Sequence, residues 1–264
     1  MIRVRVLGPF ELTCNDQRVV LQLMQITIIL ALWCAGGPVD RDNLIRKIWP
    51  VPAPGTRSTL RRHLSHIRAA LAAVNGDLDM LILEPAGPIR TFQLMDNAES
   101  DAGDFRQQAD DGAKVLRDGD FHQASVLLRE ALGRWGAVPE TGPAPLACVA
   151  ERGFADGAIT DLKTAYKIAL LDCMKADISI GRHQQALIEL TRLNRWYPQQ
   201  TDIAELLAIA SYRCQGAAEA SRILPGPIRM SSRLGIDAQR LRMLQEDLLN
   251  EAFPRRGPLP DDFI

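Results

Sequence analysis

Apolar and polar positions alternate from Ile2 to Val6, with Arg3 and Arg5 on the opposite side, and Gly8-Pro9 breaks the run before Phe10 to Thr13 resumes it. Asn15-Asp16 is a turn signal and Arg18 to Leu21 offers a third short strand, so the chain opens as a small antiparallel meander. From Gln22 to Ala35 apolar residues run nearly all round the helical circumference, and Gly36-Gly37-Pro38 stops the segment. A helix of that kind has to be buried. Asp40 is a good N-cap for a second, short helix through Ile48; Pro50, Pro52, Pro54 and Gly55 force a turn, and a third helix runs from Thr56 or Ser58 to about Val74. Met80 to Glu84 and Arg90 to Leu94 then predict a hairpin around Pro85 to Pro88. Strands, three helices and a hairpin, in that order, make a winged helix-turn-helix.

Past an acidic linker (Asp96, Glu99, Asp101, Asp104) the pattern becomes Ala- and Leu-rich and helical to about Phe253, with no further convincing strand. Gly119-Asp120-Phe121-His122-Gln123-Ala124 weakly resembles Gly181-Arg182-His183-Gln184-Gln185-Ala186, each copy a turn followed by an amphipathic helix that ends near Trp135 or Trp196. A third turn falls at Gln215-Gly216. Such self-similarity suggests stacked helical hairpins of the tetratricopeptide kind. The fold class expected is therefore an α+β N-terminal winged helix-turn-helix followed by an all-α tetratricopeptide-like domain, mainly α overall. The expected domains are a winged helix over 1–96, a helical domain over 97–253 and a disordered tail over 254–264, which is rich in proline and charge. A length of 264 residues with 47% apolar content leaves room for two cores.

The third helix carries the candidate chemistry. Leu60, Leu64, Ile67 and Leu71 fall on one stripe that must pack inward. Opposite them lie Ser58, Thr59, Arg62, Ser65, His66 and Ala69, a polar face without acids and short-chained except for Arg62 and His66. Small residues allow close approach to a major groove, while Arg, Ser and His supply hydrogen bonds to base edges or phosphates. Arg61 and Arg68 flank the stripe and can lay their stems along it with the guanidinium heads on phosphates. Thr56 or Ser58 is a candidate cap, and Arg90 in the hairpin a candidate wing contact in the minor groove.

Charge sharpens this picture. The whole chain carries −1, yet between Asp40 and Gly76 seven basic residues stand against two acids, a local excess of five positive charges. A basic patch on a neutral chain suits one face meeting a polyanion. Five scattered cysteines without a CxxC pair predict neither a zinc site nor a disulfide framework and fit a reducing cytosol. His63 and His66 lack a third ligand nearby, so no metal is expected. The apolar stretch Val19 to Cys34 is too short and too interrupted to span a bilayer, no signal peptide is legible, and a cytoplasmic location follows as the expectation. No nucleophile elbow, P-loop, dinucleotide fingerprint or zinc-protease pair occurs, which predicts no enzyme, no catalytic residue and no cofactor. The four tryptophans, among apolar neighbours, are expected to be core anchors.

Read together, Val6-Leu7-Gly8-Pro9-Phe10-Glu11-Leu12, Asp40-Arg41-Asp42-Asn43-Leu44-Ile45 with Ile48-Trp49-Pro50, and Arg57 through Leu71 resemble the actinobacterial antibiotic regulatory (SARP) family of transcriptional activators. That family joins an OmpR-type winged helix to a bacterial transcriptional activation domain. Gly181-Arg182-His183, Glu189-Leu190, Pro198 and Leu234-Gly235-Ile236-Asp237 with Leu241 and Leu244 are similar to the second part. The resemblance implies binding to direct repeats near promoters, recruitment of RNA polymerase through its sigma subunit, and compatibility with a homodimer on double-stranded DNA. It maps the recognition-helix positions onto Arg57, Thr59, Arg61, Arg62, Ser65, His66 and Arg68. Three departures stand out: Leu21 to Gln25 lack a cation at the start of the first helix, His66 stands where arginine is common, and Gly87 is followed by Pro88 where a Gly-Tyr pair is usual. These departures motivate an alternative, a tetratricopeptide-like adaptor whose winged helix has lost DNA binding.

Overall fold

The computed structural model describes residues 1–74, 76, 82–83, 91–94, 99–136, 144–235 and 237–263. The chain divides into two compact units, one of Met1–Gln107 with Gly133–Tyr166 and one of Gln108–Leu132 with Lys167–Ile264.

In the first unit, β1 (Ile2–Arg5), β2 (Glu11–Cys14) and β3 (Gln17–Arg18) form the expected meander. A two-residue strand with no alternation to betray it, β7 (Glu99–Ser100), pairs parallel to β1 and gives the order β3-β2-β1-β7. Alternation puts Ile2, Val4, Leu12 and Cys14 inward. The helix α1 (Leu23–Ala35) starts with a reciprocal Gln22/Gln25 capping box and stops at Gly36, whose φ of 63° is the left-handed conformation glycine tolerates. Ile28 to Leu32 are all buried, because α1 is packed against α2 (Arg41–Ile48), α3 (Thr56–Ala72), β6 (Thr91–Leu94) and the short 3-10 turn Ala147–Val149.

That last contact is why the first unit draws on residues far along the chain. The Leu146 amide donates to the Val6 carbonyl at 2.9 Å, and Arg152 donates to the carbonyl of Ile48 at 3.0 Å. Trp135 lies edge-on between Phe105 and Tyr166, at 5.4 and 4.9 Å. Packing therefore divides the chain differently from a single cut at residue 96. Trp135 is a core anchor, whereas Trp33, Trp49 and Trp196 are half-buried. A second sheet joins β4 (Val39–Asp40) to β6 and β6 to β5 (Ile82–Leu83), the paired strands of the expected hairpin; its connection 84–90 lies outside the described residues.

The second unit is helical. Helices α4 (Asp101–Arg117, in this unit from Gln108) and α5 (Phe121–Gly133) meet through Gly119, and α6 (Asp156–Ser179, in this unit from Lys167) and α7 (His183–Trp196) through Gly181. Both glycines are left-handed, at φ 85° and 87°, and each is followed by an amide that reaches back five residues, Asp120 to the Val115 carbonyl and Arg182 to that of Asp177. The two sequence copies are thus the same turn. Gly112 of α4 packs so closely on α5 that a Cβ there would come within 2.7 Å of Leu128 Cγ. Helices α8 (Thr201–Gln215), α9 (Ala217–Ala220), α10 (Pro225–Leu234) and α11 (Gln239–Leu249) follow, with α8 buried along ten consecutive residues, Ile203 to Tyr212.

One carboxylate ties this unit together. Asp177 of α6, fully buried, accepts from the Ser125 hydroxyl at 2.7 Å and from Arg129, both on α5. Arg182 stands 3.5 Å from the same carboxylate and also donates to Ser125 Oγ at 3.0 Å. The tail expected to be disordered over 254–264 is instead packed: Leu259 is 2% exposed, and Arg213 bonds the carbonyls of Pro254, Gly257 and Pro258.

Candidate nucleic-acid interface

The third helix is built as its periodicity dictates. Leu60, Leu64, Ile67 and Leu71 are all buried, and Arg57, Ser58, Arg61, Arg62, Ser65, His66, Arg68 and Ala69 are exposed, with Thr59 half-buried. An open groove of about 570 Å³ runs along this helix, bringing Arg57, Ser58, Arg61, Arg62, Ser65 and His66 together with Arg68. Arg41, at the start of α2, and Phe92 of β6 complete its walls. Arg41 was not singled out by the third helix's periodicity, since it belongs to another element; its place directly after the capping Asp40 is the signal that could have found it. Thr59 does not line the groove, and Arg90 lies outside the described residues.

Caps and ion pairs decide which of these cations are available. The helix does not start on a hydroxyl cap. Gly55, at φ 89°, makes the left-handed turn into the helix, and the Thr56 and Ser58 hydroxyls donate backward to the carbonyls of Ala53 and Gly55, at 2.7 and 2.8 Å. With both hydroxyls turned to carbonyls, the first-turn amides have no side-chain cap. In α2, by contrast, Asp40 accepts from the Asn43 amide at 2.9 Å, and that bond holds the Asp40 carboxyl below its ordinary range. Arg57 is paired with Asp42 at 2.9 Å, and Arg41 approaches the same carboxylate at 3.4 Å. Among the described residues Arg61, Arg62 and Arg68 make no ion pair.

His63 and His66 stand edge to face with ring centres 6.3 Å apart. Burial, with the charge of Arg62 and the neighbouring His66, holds His63 below the usual imidazole range. It is neutral near pH 7 and adds no charge to the patch. Among the described residues no three His, Cys, Asp or Glu side chains gather as a metal site. Burial pushes the Cys173 thiol up to about 12 and that of Cys34 to about 11, so neither forms a thiolate near neutral pH. Among the described residues no helix is long and apolar enough to cross a membrane.

The chain as a whole has relatives. Residues 100–249 match the family model of the bacterial transcriptional activator domain. The chain is 28% identical to the regulatory protein AfsR of Streptomyces griseus over 235 residues, which is 85% of this chain and 22% of that protein. AfsR of Streptomyces coelicolor is 27% identical, over 93% of this chain and 24% of its own length, so the chain spans about a quarter of these two relatives. The regulatory protein DnrI of Streptomyces peucetius is 25% identical over 97% of this chain and 96% of its own. The solved structure of Mycobacterium tuberculosis EmbR, in complex with a low affinity phosphopeptide, superposes with a TM-score of 0.81 at 25% identity, covering 98% of this chain and 66% of that one. A winged helix and a helical domain are the architecture the two share. The chain belongs to the bacterial transcriptional activator domain family, among regulators of the actinobacterial antibiotic regulatory type.

Proposed function

We propose that the chain is a cytoplasmic transcriptional activator, not an enzyme, that binds direct repeats in promoter DNA through α3 and recruits RNA polymerase, through its sigma subunit, while bound there. The observation that carries this reading is the composition of one helix face. Arg61, Arg62 and Arg68 are exposed and without ion-pair partners among the described residues, Ser65 and His66 lie between them, and no acidic residue occurs from Val51 to Asn75. Surface helices ordinarily mix charge signs, so an acid-free cationic face backed by a rigid core is suited to phosphate and base edges. Arg57 joins them by exchanging Asp42 for a phosphate, and Arg90 serves the wing. A duplex with repeated half-sites would seat two copies of the chain side by side.

The test is a mobility shift with duplexes from the chain's own upstream region. Five arginines, Arg41, Arg57, Arg61, Arg62 and Arg68, line the groove, of which Arg41 and Arg57 would first have to leave Asp42. With Arg62 on a base and the other four on phosphates, raising salt from about 50 to about 200 mM is expected to weaken binding by about 10²-fold. A complex that ignores salt, or no retardation even at low salt, favours the adaptor reading, in which the helical repeats make the only macromolecular contacts. The cation-poor start of α1 is the observation on that side, since Leu23 to Ala35 carries no basic residue to anchor a phosphate.

A further inference from the structure

Chain direction reverses after α11, where Glu251 takes a left-handed φ of 54° and the Ala252 and Phe253 amides bond the Asp247 carbonyl. Residues 253–259, Phe-Pro-Arg-Arg-Gly-Pro-Leu, then run without regular structure, bending at Phe253 and from Arg255 to Pro258, over the ends of α6 and α8. Phe253, 5% exposed, stands edge-on to Tyr212 with ring centres 6.4 Å apart, and the Tyr212 hydroxyl donates to the Phe253 carbonyl at 3.2 Å. Six residues on, the Leu259 amide donates to Ser179 Oγ at 3.2 Å and its side chain is fully covered. Every residue from Pro254 to Pro258 is exposed.

The centre of this surface is Arg213. Among the described residues it has no carboxylate partner, and burial holds its guanidinium below the ordinary arginine range. Its donors go to backbone carbonyls: Ile178 of α6 at 3.0 Å, Pro254 at 3.2 Å, Gly257 at 2.7 Å and Pro258 at 3.4 Å. A guanidinium that spends its bonds on main-chain oxygens recognises the path of a bent backbone rather than its side chains. Selectivity then comes from the two side-chain anchors at its ends. Pro254 and Pro258 suit such a ligand, because proline limits the freedom lost when the segment is ordered. Gly257, at φ 87°, takes the left-handed turn that helps bring the Pro254, Gly257 and Pro258 carbonyls to the same guanidinium.

We propose that this surface, made of Ser179, Tyr212 and Arg213, is a docking site for a proline- and glycine-containing peptide of a partner protein that bends round the Arg213 guanidinium, with an aromatic anchor and a leucine six residues after it, and that residues 253–259 are its exchangeable internal occupant. The occupant is fastened by two buried side chains, by the Arg213, Tyr212 and Ser179 bonds, and by Arg255 over the Tyr212 ring and Phe253 against Phe263, all contacts that can open without unfolding the helices beneath it. This inference does not rest on DNA binding by α3.

The probe is a fluorescein-labelled synthetic peptide of residues 251–263. In the full chain, the double substitution Phe253→Ala and Leu259→Ala loosens the internal segment while leaving Ser179, Tyr212 and Arg213 in place. This variant is expected to bind the peptide at least about tenfold more tightly than the unaltered chain, since apparent affinity scales with the fraction of open sites. Adding Arg213→Ala is expected to abolish that binding. No binding by the opened variant overturns the proposal, leaving a fixed structural clamp. So does a concentration-dependent dimer of the unaltered chain with exchanged segments, which would make a second copy the occupant. Hydrogen exchange on the unaltered chain covers the case of a variant that fails to fold. The Leu259 amide is expected to exchange at least about 100-fold faster than that of Ile209 in α8, as a locally opening segment does; equal rates overturn the proposal.

Discussion

Replacing Arg62 by alanine is expected to lower the ratio of affinities for promoter and random duplex by about 5- to 150-fold, the equivalent of about 1–3 kcal/mol. Arg62 is exposed, has no ion-pair partner among the described residues, and shares a face with Ser65 and His66 over the buried Leu64. A guanidinium placed there can meet two acceptors of one base, and alanine removes both bonds at once. Arg68 lies nearer the end of the helix, where in the proposed complex it would meet the phosphate backbone. Its replacement by alanine is expected to weaken both duplexes alike and to reduce the salt slope by about one. Competition binding with the two duplexes separates these effects. An unchanged ratio for Arg62→Ala shows that this face does not read bases.

The second large effect concerns the helical unit. Asp177→Ala is expected to destabilise it by about 2–4 kcal/mol, read as a lower urea midpoint for loss of helix. Asp177 is fully buried and answers two cations, Arg129 and Arg182, as well as the Ser125 hydroxyl. Removing it strands those groups. The cost stays below that of a fully buried pair because the Arg129 and Arg182 side chains are 30% and 47% exposed and can rehydrate. Removing Asp177 together with Ser125 and Arg129, by apolar residues of similar volume, is expected to recover much of the loss, since the groups then left without partners, Arg182 and Glu189, are part-exposed and can rehydrate. A single variant as stable as the unaltered chain would show that the network carries no net stability.

Local periodicity made much of this architecture legible. The leucine stripe of α3 repeats at helical spacing, so its inward and outward faces could be assigned residue by residue. The all-apolar α1 could be read as buried, but not what buries it, because the 3-10 turn at Ala147–Val149 arrives from more than a hundred residues away. Glu99–Ser100 is too short to show alternation, and its pairing with β1 is a tertiary event. Thr56 and Ser58 are residue types that cap helices, yet Gly55 sets the entry angle and turns their hydroxyls toward carbonyls instead. Arg57 reads as a free cation in sequence; Asp42, fifteen residues earlier, is its partner in space. The terminal segment reads as disordered because proline and charge dominate it. Its order comes from main-chain oxygens bonded by Arg213, which composition does not register.

The central claim is that the outward face of α3 lies in a DNA groove. A photoactivatable side chain placed at Ser65 tests it directly, with Val20 as control, since both positions are exposed and Val20 lies on the approach to α1 rather than on α3. The account predicts that, with the complex formed on the promoter duplex, irradiation joins Ser65 to bases within the half-site and leaves Val20 without base adducts. Adducts at Val20 with none at Ser65, from a complex that still forms, would contradict it.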